Sequence, residues 1–231
     1  MQPDLFDTLV DFDDPAYRNI RSIRVSQALH DDIAVSPEDQ AIAMAASAQG
    51  KPPSEAPLLT RPFDYGSDIV YPFLPKSLHR TRFSDGTRYG VWYGSREIET
   101  TVHETAYHWA RFVRASYGAS NTELRSDRRV FTARVRALLV DLRGKEKRYP
   151  DLLHRSDYTF PNEVGRYLFD QGQNGVLVNS ARCDGTNVDI FRPQVLSDVR
   201  DQCYLTYRFV PASDRLVVER TPGRIWMRIQ V

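Results

Sequence analysis

The chain has 231 residues, 41% of them hydrophobic and 26% charged, which is enough to bury a sizeable core and ordinary for a soluble globular protein. Its 31 basic and 30 acidic side chains leave a net charge of +1, which argues against attraction of the whole molecule to nucleic acid or membrane but leaves room for a local basic cleft. No apolar run approaches the roughly 20 residues of a membrane span, and residues 1–7 are acidic with no signal-peptide core; a cytoplasmic protein is the default expectation.

Residues 1–50 read as helical and irregular. The stretch 15–25, which contains Tyr17, Arg18 and Arg21, is basic with interleaved apolar positions. Ser36-Pro37-Glu38-Asp39 has a capping serine, a proline at the first helical position and acids in the first turn, so a helix is expected to start there, run through an alanine-rich segment and stop at Gly50. The run 51–57 has three prolines and reads as a loop. Residues 69–73 suggest a short edge element between prolines. The expected organisation is a helical or irregular extension over residues 1–75, packed on a catalytic body over 76–231.

The body opens with the most informative stretch. Arg80, Arg82 and Arg88 surround a turn at Asp85-Gly86, a strand follows over 89–93, and a helix begins after Ser95. On that helix Val102, Ala106, Trp109 and Val113 form one apolar stripe, spaced by four, three and four. Glu104 lies about 200° around the helix from Val102, on a face shared with Tyr107, His108 and Arg111. It therefore points either to solvent or into a cleft. A capping box over Thr101-Val102-His103-Glu104 is the plainer reading. Trp92 and Tyr93 alternate on their strand, so one faces the core, and the reading places Trp92 inside and Tyr93 at the cleft.

Further on, alternation over 131–139 marks a half-buried strand, and Asn162 is expected to cap a short helix that Gly172 ends. Residues 175–180 read as a strand leading into a polar turn at 181–185, where Ser180 is either a turn cap or a site residue. Strands are expected at 187–191, 204–209, 216–219 and 225–231. Many short strands with a few helices give an α+β fold with a mixed, largely antiparallel sheet and flanking helices. Cys183 and Cys203, the two cysteines, are read as reduced thiols rather than a disulfide. His103 and His108 are five apart, about 140° around a helix, so they do not form the zinc pair of an HExxH motif, and no metal is expected.

Arg82-Phe83-Ser84, then Tyr93 and Glu104, then Gly175-Val176-Leu177-Val178-Asn179-Ser180-Ala181-Arg182, resembles a RES domain over roughly residues 78–196, and Tyr17-Arg18 is similar to a Tyr-Arg pair near the start of many such domains. The resemblance implies a fold similar to ADP-ribosyltransferases and an enzyme that degrades NAD by phosphorolysis or hydrolysis, or transfers ADP-ribose to a protein. NAD would be the substrate and inorganic phosphate a possible co-substrate, with no prosthetic group. It further implies a toxin held inactive by an Xre-type helix-turn-helix antitoxin. Carried over residue by residue, it gives Arg82, Glu104 and Ser180 as catalytic and Arg18, Tyr93, Arg82 and Ser180 as NAD-binding. The long stretch between Arg18 and Arg82 leaves Arg21 and Arg80 open as alternatives for the second cleft arginine. A homo-oligomer and a catalytically silent protein-binding module stay open as well.

Overall fold

The computed structural model describes residues 3–22 and 65–231. Two compact units divide the chain, Met1–Arg21 with Tyr65–Val231, and Ser22–Asp64. The helix expected from Ser36 and the loop at 51–57 lie outside the described residues.

Eight strands of the described residues make one sheet: β1 (Leu9–Arg21), β2 (Trp92–Ser95), β3 (Leu124–Asp141), β4 (Gly175–Asn179), β5 (Thr186–Ile190), β6 (Leu196–Phe209), β7 (Arg215–Thr221) and β8 (Arg224–Gln230). Their order is β1-β2-β5-β4-β3-β6-β7-β8, and β1 also pairs along β3. The first five therefore close into a ring, from which β6, β7 and β8 continue outward. Only the short β3–β4 contact is parallel. Among the described residues, three α-helices accompany the sheet: α1 (Tyr65–Val70), α2 (Ile98–Tyr117) and α3 (Thr159–Asp170). The fold is thus α+β with a largely antiparallel sheet, as the strand count implied. No described helix is long and apolar enough to cross a membrane.

The alternation of β3 explains its central place. Phe131, Ala133 and Val135 fill the ring with Phe12, Trp92, Leu177, Val188 and Ile190, while Val130 joins the core on the other face. That second core is the stripe of α2, where Val102, Ala106, Ala110 and Val113 are buried against Leu205, Tyr207, Phe209, Leu216 and Val218 of the outer strands. A third cluster packs Val164 and Leu168 of α3 on Val176 and Val178 of β4. Because α2 buries one side on the outer strands, its opposite side is free to face the ring.

Four local expectations change. Residues 9–21, read as helical or irregular, form β1, which pairs with β3 from Leu9↔Val140 to Arg21↔Arg128. Phe12 and Ala16 enter the ring while Asp11, Asp13 and Asp14 face out. Pro15 is tolerated because β2 reaches β1 only at Tyr17↔Ser95, leaving that edge open beside the proline. Residues 69–73 are the end of α1 and a 3₁₀ turn, not an edge element. The strand proper at 89–93 starts only at Trp92 and runs to Ser95. α3 begins three residues before Asn162, whose amide instead donates to the carbonyls of Thr81 and Arg82, 2.7 Å each. Gly172 does end that helix, at φ 77°. Cys183 and Cys203 are unbridged and half-buried.

Candidate active site

Two antiparallel strands lay the floor of the site. β2 and β5 pair Tyr93 with Asp189 and Ser95 with Asn187. Since side chains alternate, Trp92, Val188 and Ile190 point into the ring, where each is fully buried, and the four polar residues share the opposite face. α2 follows β2 after a short turn. Its polar face overlooks that floor and encloses a cleft of about 600 Å³, lined among others by Glu104, His108, Arg18, Arg82, Tyr93 and Asp189.

Glu104 is held through one oxygen. Its Oε1 accepts from Ser180 Oγ at 2.7 Å and from Asn187 Nδ2 at 2.9 Å. Asn187 is itself oriented, because its Oδ1 accepts from Ser95 Oγ at 2.8 Å. Ser180 sits where β4 ends, its N–H on Gly185 O at 2.8 Å and its Oγ accepting from the Arg182 N–H at 3.0 Å. A β-carbon on Gly185 would collide with Thr100 Oγ1 of α2, so the glycine lets this turn pack against the helix that carries Glu104. The Arg182 side chain is 3% exposed, lies over the Tyr107 ring at 3.4 Å, and brings Nε to 3.9 Å from Glu104 Oε2. The capping-box reading of Glu104 does not hold: the helix starts at Ile98, and the Thr101 hydroxyl donates to Ile98 O at 2.7 Å.

Arginines approach from two sides. Arg18, on β1, is half-buried over the Trp92 ring and donates to Tyr93 O at 2.9 Å. Removal of its guanidinium from bulk water lowers its pKa to about 10, with Asp68 the chief opposing neighbour. Arg82 donates to Leu152 O and His154 O, both at 3.1 Å, and lies 4.8 Å over the Tyr158 ring. Arg80 and Arg111 also line the cleft, whereas Arg21 does not. Tyr93 presents its ring to the cleft and ties the arginine loop to the sheet: its hydroxyl donates to Thr81 Oγ1 at 2.8 Å and accepts from the Phe83 N–H at 2.9 Å. Burial pushes that hydroxyl far above the usual phenol range.

The structure therefore gathers Arg18, Arg82, Tyr93 and Glu104 around one cleft, and Ser180 joins through its bond to Glu104. Sequence reasoning missed Asn187, Ser95, Arg182 and Asp189. The alternation of Asn187 and Asp189 with Val188 and Ile190 was a readable signal, but only the register with β2 shows what that polar face serves. Chemically, the site offers an oriented carboxylate beside several cations and an aromatic wall. That set suits a substrate that combines phosphates with a centre that becomes positive during reaction.

A family model described as the RES domain matches residues 56–210. Among solved structures, a chain of the crystal structure of the M. tuberculosis MbcT–MbcA toxin–antitoxin complex is similar, with 14% identity, a TM-score of 0.47, and coverage of 86% of this chain and 90% of that one. No curated protein sequence matches the chain.

Proposed function

The chain belongs to the RES domain family, and from that premise we propose that it is a toxin enzyme that breaks the nicotinamide–ribose bond of NAD, by phosphorolysis or hydrolysis, and is neutralised by an Xre-type antitoxin. The observation that carries the reading is the Glu104 carboxylate, fixed by Ser180 and Asn187 at the wall of the cleft.

Cleavage of a glycosidic bond passes through an oxocarbenium-like transition state, and a carboxylate held nearby stabilises the charge that develops there. Fixed groups of this kind contribute on the order of 3–4 kcal/mol, because they need no reorganisation when the charge appears. Holding Glu104 through Oε1 leaves Oε2, 3.9 Å from Arg182 Nε, outside those two hydrogen bonds and able to meet the sugar. Arg82 and Arg18 match the diphosphate, for which guanidinium forks are better suited than ammonium groups. The Tyr93 ring supplies a wall for the departing pyridine.

The test is loss of NAD, with and without added phosphate, for wild type and Glu104→Gln. Glutamine keeps an oxygen for Ser180 and Asn187, so the geometry survives while the charge is lost. Wild type should consume NAD and the variant should not, and a requirement for phosphate separates phosphorolysis from hydrolysis. A stable adduct on an acceptor protein moves the assignment to mono-ADP-ribosyl transfer. NAD left intact by the free wild-type protein overturns the enzyme reading in favour of a protein-binding module.

A further inference from the structure

Two carboxylates face the cleft, and they are treated differently. Glu104 is held by two donors, whereas Asp189 has a buried Oδ1 with no hydrogen-bond partner. Asp189 lines the cleft, is 1% exposed and stands opposite Tyr93 in the ladder. It lies two residues from Asn187 on the same face of β5, roughly 7 Å along the strand from the rung that orients Glu104. A buried polar atom left without a partner is destabilising, so such an atom in a cleft wall asks for a ligand that supplies the partner.

We propose that Asp189 reads the substituent of the pyridine ring, its carboxyl group pairing with the primary carboxamide and so selecting the amide over the acid form of the dinucleotide. The inference rests on the NAD reading above. With the ribose at Glu104, the base extends from the anomeric carbon along the floor toward the next rung, where Tyr93 walls the ring and Asp189 meets its substituent. A carboxyl O–H donates to the amide oxygen, and the carboxyl C=O accepts an amide N–H, so both groups are satisfied. The burial of Asp189 favours this form. Burial, and then the Glu104 charge from α2, push its carboxyl well above the ordinary carboxylate range, with Arg82 of the loop and Arg18 of β1 opposing. A nicotinate in the same place could accept the Asp189 O–H, but its second oxygen, an acceptor, would be set against the Asp189 C=O, away from water. Asp189 is thus a specificity-determining residue.

The experiment uses the full chain carrying Glu104→Gln, so that binding is read without turnover. Titration calorimetry compares NAD with its nicotinic acid analogue, which differs only in the substituent. NAD should bind at least about tenfold more tightly. Adding Asp189→Leu should bring the two within about twofold, chiefly by weakening NAD. Asp189→Asn, nearly isosteric and able both to donate and to accept, should keep most of the affinity for NAD while narrowing the preference. Equal binding of the two dinucleotides, binding of neither, or a preference that survives Asp189→Leu overturns the inference. A parallel weakening of both marks Asp189 as a counter-ion for Arg18 and also overturns it. Failure of the NAD-cleavage reading is seen separately: wild type would leave NAD intact even though the binding preference is present.

Discussion

In the outer part of the sheet, Arg208 bonds Glu123 at 2.9 Å and Glu219 at 2.8 Å, and Asp127 accepts from Thr206 at 2.7 Å while pairing with Arg125 at 3.1 Å. Among the described residues, no buried side-chain polar atom of 196–231 lacks a hydrogen-bond partner. Around the cleft the situation is different: Asp189 Oδ1 and Arg182 Nε and Nη1 are buried without one. The outer strands and the stripe of α2 are matched apolar to apolar and donor to acceptor, which is how a region built for stability looks. The cleft side keeps unmatched atoms near Glu104, where a ligand would approach. One helix divides the two, since α2 gives its apolar side to the first region and Glu104 to the second.

If this division is real, substitutions in the two regions should separate stability from activity. The largest effect is expected from Phe209→Ala, which empties a fully buried position under α2. Loss of packing and the cavity left behind should cost about 3–5 kcal/mol in a denaturant melt, with NAD turnover per folded molecule unchanged. Glu104→Gln should do the reverse, lowering turnover by about 10²–10³-fold while shifting the unfolding free energy by less than about 1 kcal/mol. A melt shift comparable to that of Phe209→Ala would break the comparison. Asn187→Ala comes next. It leaves Glu104 with Ser180 as its remaining side-chain donor and strands the buried Ser95 hydroxyl, so kcat should fall about tenfold with KM little changed. Steady-state kinetics on NAD check both values, and a change in KM alone would mean that Asn187 binds substrate rather than orienting Glu104.

The same contrast explains what could be read in advance. The stripe of Val102, Ala106 and Val113 repeats with the helical period, so it and the opposed position of Glu104 follow from local spacing. Trp109 departs partly, staying half-buried at the edge of the stripe, where its ring meets Tyr207 and Phe209 at 6.1 Å. β1 was hidden by its acids and by Pro15. Asp13 makes sense as a strand residue only beside Arg134 and Arg136 of β3, at 2.7 and 3.3 Å, a pairing across more than a hundred residues. Asn162 likewise looked like a helix cap, because the loop carbonyls it serves are distant in sequence. The strand at 186–190 was legible as a strand, yet the roles of Asn187 and Asp189 depend on long-range register, which no local pattern encodes.

The smallest expected effect is a pH dependence at Arg18, which lines the cleft from β1. In the folded protein its pKa is lowered to about 10, against an ordinary value of 12.5. Between those values the unfolded chain binds a proton that the folded chain has released, so Arg18 by itself makes folding more favourable as pH rises through that window, and at lower pH its desolvated charge is a constant cost. Substrate binding should move the other way, because a neutral guanidine attracts phosphate less. KM for NAD should rise about threefold to tenfold between pH 8.5 and 10.5, with kcat changing less, and Arg18→Gln should show a high KM that is flat over the same range. Parallel pH profiles for wild type and variant would assign the dependence to another group and leave Arg18 a structural prop for Tyr93 and Trp92.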